Sequence, residues 1–322
     1  MYRALKEHAG IGGVAPRNAI GVSGKDRASY LQGLLTNDIQ ALEPGTGCYA
    51  AWLTPQGRML TDLHVFESGD MILLDVPAAE LSATLQRLDQ FIFSEDVQLA
   101  DLSETLTSVW IHGPASPALL AEVFEGAKDL ATWPEYRNVR AAFDGGAVVL
   151  ARVSQLGVPG FVAYVEPARK ASLEQALFQR GAVVVEPSAI EAARIEAGYP
   201  LFGVDMTDDT IPLEAGIEER AISFSKGCYV GQEVIIRVLH RGHGRVARRL
   251  VALRLAGEVS AGAKVQAGDR EVGAVTSAAV SPEFGPIALA YVHRDFTANG
   301  TQLDVREAAG SVGAVVTARP IS

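Results

Sequence analysis

Lys226-Gly227-Cys228-Tyr229-Val230-Gly231-Gln232-Glu233 is the segment most suited to chemistry. A lone cysteine stands between two glycines, with a lysine two residues before it. A nearby ammonium lowers a thiol pKa and favours the nucleophilic thiolate, so Cys228 and Lys226 are candidate catalytic residues. Glycines let backbone N–H groups approach a ligand closely. The same pattern also describes a tight turn around a buried cysteine. Asp62 is unusual in another way. It lies in a strand-like run in which Leu60, Asp62, His64 and Phe66 share one face, and Met59, Thr61, Leu63 and Val65 share the other. Aspartate is depleted inside strands, so this face is either half-exposed or turned toward a pocket. Glu196 closes a predicted helix, where a carboxylate meets the negative end of the helix dipole at a cost of roughly 0.3–1 kcal/mol. Such a misfit marks either a tolerant surface or a ligand-binding group. Arg237, Arg241, Arg245, Arg248 and Arg249 form a cationic run without an acidic residue between positions 237 and 249. It reads as a solvated connector or as an anion site for a polycarboxylate tail, a phosphate or RNA. His240 and His243 lie in the same run without a third ligand close in sequence, so no metal site is expected.

The elements that must position these groups follow from periodicity and punctuation. A helix is predicted near residues 24–35, with Ser23 as its N-cap. Strands over 49–53, 58–66 and 71–76 form a meander, and Pro77 opens a helix to about Phe91. Ser188 and Glu191 fit a capping box for a helix ending at Gly198. Residues 129–144 read as irregular, and 205–219 as an acidic loop. After about Arg245 valines and leucines alternate with polar residues, which predicts a small antiparallel β domain.

The chain has 322 residues, which suits two domains or three small ones. Hydrophobic residues make up 48%, enough for a core without disulfides or metals. Two cysteines 180 positions apart form no disulfide framework and cannot fill a four-thiolate cluster shell. The net charge of −10 speaks against a generic nucleic-acid coat or membrane-surface protein. No signal peptide and no membrane-length apolar run is visible, so a cytoplasmic location is expected.

The Lys226–Glu233 segment resembles the signature of the YgfZ family, K-G-C-[FY]-x-G-Q-E, at all eight positions. Arg194-Ile195-Glu196-Ala197-Gly198-Tyr199-Pro200, Gly203, Asp205 and Ile211–Glu214 resemble the folate-dependent glycine-cleavage T-protein superfamily. Leu35–Ile39, the Tyr49–Asp62 meander, Gly273–Ser277 and Ile287–Val292 extend that similarity over most of the chain. The resemblance implies an α+β fold of three domains in a clover arrangement, with a C-terminal antiparallel β-barrel. Residues 1–45 and 146–245 would form a discontinuous folate-binding domain, 46–145 an inserted α+β domain, and 246–322 the barrel. It further implies that tetrahydrofolate or a one-carbon derivative is the cofactor. The expected role is assembly or repair of iron–sulfur clusters in client enzymes, including tRNA-modifying ones. Glu196 would receive the pterin amino group and ring N–H, an arrangement suited to a carboxylate. Asp62 falls where the T-protein has an acidic pair, and Thr61 replaces its first member. Lys226, Arg194, Arg237 and Arg241 complete the expected folate contacts. Two rival readings stand beside this one, a folate-dependent aminomethyl or one-carbon transferase and an RNA-binding module. Neither a stable nucleic-acid complex nor a membrane partner is expected.

Overall fold

Strand Arg17–Ser23 sits between strands Ile72–Pro77 and Gln98–Asp101, and pairs antiparallel with both. Strands Met59–Glu67 and Gly47–Leu53 complete this five-stranded sheet. One face carries Cys48, Ala50, Trp52, Leu63 and Val65 against Leu31, Leu34 and Leu88 of helices Arg27–Leu34 and Leu81–Asp89. The other face carries Tyr49, Ala51 and Leu53 against Met206, Leu213 and Ile217. Its remaining members, Ala19, Phe66 and Leu73, meet Trp110, Val162 and Tyr164 of a second sheet. Both faces are therefore buried, and the Asp62 face is not half-exposed. The expected alternation holds from Thr61 onward. At the start of the strand a β-bulge opposite Trp52 and Leu53 places Met59 with Tyr49 and Leu53, and Leu60 on the helix side.

The computed structural model describes residues 1–240, 244–308 and 310–321. Its second sheet has six strands in the order Val183–Val184, Gly10–Ile11, Thr107–His112, Gly160–Val165, Gly146–Arg152, Asn138–Phe143. Helices Ser116–Val123 and Pro167–Gln179 cover it through Leu119, Leu120, Leu173 and Leu177. The last six strands, from Arg248–Leu255 to Gly310–Thr317, close into an antiparallel barrel around Val251, Leu253, Val265, Val292, Val305 and Val316. Closure leaves no strand edge exposed for pairing with another chain. The fold is thus α+β with a C-terminal antiparallel barrel.

The sheets partition the chain differently from the expected domains. A cut at 45/46 would separate Arg17–Ser23 from both of its pairing partners. A cut at 145/146 would fall inside the hairpin of Asn138–Phe143 and Gly146–Arg152. Residues 129–144, expected to be irregular, contain the strand Asn138–Phe143, anchored where the Asn138 amide donates to the Thr46 carbonyl at 2.8 Å. The Ser188–Glu191 capping box is not formed. Pro187 starts the helix at its first turn, and Glu191 is drawn instead to Arg194 at 2.6 Å. Ser23 likewise does not cap the helix that begins at Arg27.

One guanidinium joins the helix, the following loop and the barrel. Arg194, fully buried, donates to Asp205 at 2.7 Å, to the Tyr199 carbonyl at 2.6 Å and to Ser277 of the barrel at 2.7 Å. Asp205 in turn accepts from the hydroxyls of Thr276 and Ser277 and from the Leu201 N–H. Without Asp205, Arg194 keeps only the partly exposed Glu191 as a counter-charge, and the donors of Leu201, Thr276 and Ser277 lose this acceptor, at a cost of about 1–3 kcal/mol. We predict that Asp205→Ala lowers the unfolding free energy in urea by that amount. A loss under about 1 kcal/mol would show that the pair does not hold the barrel.

Candidate functional site

The inner face of the five-stranded sheet holds a buried cluster of charged and aromatic side chains. Arg17 lies between two carboxylates, with Nη1 3.0 Å from Asp62 Oδ1 and Nε 2.8 Å from Asp75 Oδ2. Its Nη2 donates to the Asp75 carbonyl at 2.7 Å. Asp62 Oδ2 accepts from the Tyr49 hydroxyl at 2.8 Å. Burial alone would raise the Asp62 pKa, but Arg17, His64 and the Tyr49 hydroxyl outweigh it and hold the carboxyl below its usual range. Asp62 is therefore an ionised structural anchor with both oxygens engaged, not a free base. Thr61 is buried on the opposite face, paired across from Trp52, so the two residues do not act as an acidic pair would.

His64 links this cluster to the loop after the Glu196 helix. Its Nδ1 lies 2.7 Å from Asp75 Oδ2 and its Nε2 3.2 Å from the Tyr199 hydroxyl. Burial, with Arg17 beside it, pushes the imidazole pKa down, so the ring is neutral at pH 7. The assigned tautomer donates from Nδ1 to Asp75 and accepts at Nε2 from Tyr199. Tyr199 and Tyr49 then flank the guanidinium of Arg220, with ring centroids 4.2 and 4.5 Å away. Asn37 fixes the Arg220 backbone by donating to its carbonyl at 3.1 Å. The half-buried Arg220 guanidinium donates no hydrogen bond among the described residues. It is a held cation with its donors available. No local pattern marks it, because the two tyrosines that frame it lie 171 and 21 positions away in the chain.

Glu196 is 3% exposed at the end of its helix. Tyr2 donates to both carboxylate oxygens at 2.8 and 2.7 Å, Lys6 approaches at 2.8 Å, and the Ser281 hydroxyl donates at 2.5 Å. The unfavourable dipole contact is thus offset by a cation and two hydroxyls from distant parts of the chain. Arg194, expected to contact folate, is engaged in the barrel junction described above.

Lys226 does not lie free for either expected role. Its ammonium donates to the carbonyls of Gln32, Leu35 and Asn37 at 2.6, 2.6 and 2.9 Å, closing the end of helix Arg27–Leu34. Burial pushes its pKa down to about 8, and its charge acts on the buried Cys48 thiol. Burial nevertheless raises Cys48 to about 12. Cys228 itself is exposed. Gly231 has φ +85°, and a Cβ there would sit 2.5 Å from the Thr54 carbonyl oxygen, so close packing against the 54–57 turn requires glycine. The described members of the basic run differ in their surroundings. Arg248 pairs with Glu214 at 3.2 Å and lies over the Tyr291 ring. Arg237 is exposed on helix Gln232–His240, and Arg241 and His243 lie outside the described residues.

A family model described as the GCVT N-terminal domain matches residues 2–226, and one described as the glycine cleavage T-protein C-terminal barrel domain matches 248–322. An aminomethyltransferase of Rubrobacter xylanophilus is 31% identical over 95% of this chain and 82% of its own length. A putative chloroplastic transferase of Arabidopsis thaliana is 28% identical over 89% of this chain and 66% of its own. The crystal structure of the glycine cleavage system aminomethyltransferase T from Bartonella henselae superposes with a TM-score of 0.88 at 23% identity. It covers 99% of this chain and 88% of that one, a likeness of fold. Among the described residues, no helix is long and apolar enough to cross a membrane.

The buried histidines predict how stability depends on pH. His64 is shifted down, and burial pushes His112 down to about 4. Below the unfolded value of about 6.5, the unfolded chain binds protons that the folded chain refuses, so stability falls as pH falls. His112 alone gives a slope approaching about 1.4 kcal/mol per pH unit between roughly pH 6 and 5, and His64 acts in the same direction. Urea titrations at pH 7, 6 and 5 measure it, and His112→Phe should make it shallower by about that amount. A pH-independent midpoint over that range would contradict neutral burial of both rings.

Proposed function

We propose, from the premise that the chain belongs to the glycine cleavage T-protein family, that it binds tetrahydrofolate or a one-carbon derivative and transfers the one-carbon unit. Relatives named aminomethyltransferase, aligned over most of both chains, support the transfer reading. The observation that carries folate binding is the Arg220 guanidinium, held between Tyr49 and Tyr199 with its donors unengaged. A guanidinium held in this way suits the anionic tail of folate. Glu196 fits the pterin edge by its donor chemistry. A carboxylate that here collects two hydroxyls and an ammonium can collect the amino and ring N–H donors of pterin, with Tyr2 and Lys6 giving way. Tetrahydrofolate supplies a nucleophilic nitrogen that carries the one-carbon unit. The chain's own residues bind and orient it. Asp62, engaged by Arg17 and Tyr49, fixes the tyrosine that faces Arg220.

A second reading, support of iron–sulfur enzymes in the manner of the YgfZ family, rests on the exposed Cys228 within Lys226–Glu233. An accessible thiol is available for a transient sulfur or metal species, whereas a structural cysteine is buried.

Calorimetric titration with mono- and polyglutamylated tetrahydrofolate tests the proposal. Glu196→Gln should weaken binding by about 1.5–3 kcal/mol, the scale of a charged hydrogen bond. Arg220→Met should weaken it at least tenfold, about 1.4 kcal/mol. Absence of saturable heat with every folate form would overturn folate binding. A glycine-cleavage assay with the partner proteins then separates the two readings. Turnover supports transfer. No turnover, together with loss of iron–sulfur enzyme activity in cells carrying only Cys228→Ala, supports the second.

A further inference from the structure

Two clefts flank the loop around residues 203–209. The larger, of about 740 Å³, lies against the barrel, and its arginines already have partners: Arg58 pairs with Asp209 and Arg248 with Glu214. The smaller, of about 510 Å³, lies between the loop and the start and end of the Leu81–Asp89 helix. Its walls include Leu60, Glu80, Arg87, Phe202, Thr207 and Asp208. Here the charges are unpaired. Arg87 Nη1 is shielded from solvent and donates to no acceptor among the described residues. Neither Glu80 nor Asp208 makes an ion pair or a side-chain hydrogen bond among the described residues. Glu80, Thr84 and Arg87 are spaced by four and three residues, which puts them along one side of the helix. Thr84 is fully buried and its hydroxyl is also without a partner.

A solvent-shielded guanidinium nitrogen without an acceptor costs free energy of the order of 1–3 kcal/mol, so an arginine left this way in a cleft is suited to an anionic ligand. The opposing carboxylates exclude a purely anionic occupant, because Glu80 and Asp208 would repel it. They suit a ligand that also carries a cation. Leu60 and Phe202 supply apolar walls, and the volume is that of a small-molecule site. We infer that this cleft binds the zwitterionic head of an apolar α-amino acid, with Arg87 taking the carboxylate, Glu80 and Asp208 the ammonium, and Leu60 and Phe202 the side chain. This site is distinct from the Arg220 face and does not depend on the folate reading.

The test is calorimetric titration of the full chain with L-phenylalanine, N-acetyl-L-phenylalanine and L-phenylalaninamide. Phenylalanine should bind saturably, and each analogue, lacking one of the two charges, should bind about tenfold more weakly or worse. Arg87→Met should weaken phenylalanine by a similar factor while leaving the tetrahydrofolate titration unchanged. Glu80→Gln should weaken phenylalanine but not the N-acetyl analogue, and serves as the test if Arg87→Met does not fold. Absence of saturable phenylalanine binding, or binding unaltered in folded Arg87→Met, would overturn the assignment.

Discussion

Arg17 is out of water, and its charge is tolerated there only because Asp62 and Asp75 face it from neighbouring strands. The rest of the inner face depends on this arrangement. Asp75, fixed by Arg17, sets the tautomer of His64, and His64 accepts from the Tyr199 hydroxyl. Asp62, fixed by the same guanidinium, accepts from Tyr49. The two tyrosines placed in this way are those that hold Arg220. A buried ion pair adds little net stability compared with an apolar core of equal volume. What this one provides is position, because the series ends on a guanidinium held between two fixed tyrosine rings that donates no hydrogen bond among the described residues.

That series explains why the site was only partly legible in the sequence. Asp62 stood out because a carboxylate inside a strand needs a partner, and Glu196 because it opposes a helix dipole. Both are indeed buried and bonded. Their partners could not be read, since Arg17 is 45 positions from Asp62 and Tyr2 is 194 from Glu196. Lys226 misled for a related reason. Its nearness to Cys228 in sequence suggested an effect on that thiol, whereas its flexible stem carries the ammonium to a helix end some 190 positions away. The barrel was legible because strand alternation and recurring turns are local signals. The division of the first two sheets was not, because the pairing of strand 17–23 with strand 72–77 is not a local signal.

Where the T-protein is expected to present an acidic pair, Thr61 faces the helices and Asp62 is held by Arg17 and Tyr49. On the proposed reading, folate binding through Arg220 and Glu196 does not call on an acidic pair at positions 61 and 62. The exposed Cys228 is the group on which the second, iron–sulfur reading rests.

On the proposed reading, one bound tetrahydrofolate engages both Arg220 and Glu196. Hydrogen–deuterium exchange with and without tetrahydrofolate tests it most directly, because it locates the bound ligand without any substitution. The account predicts slowed exchange in residues 194–200 and 217–222, with the barrel strands beyond residue 300 unaffected. Protection confined to the barrel, or no protection at saturating tetrahydrofolate, would contradict it.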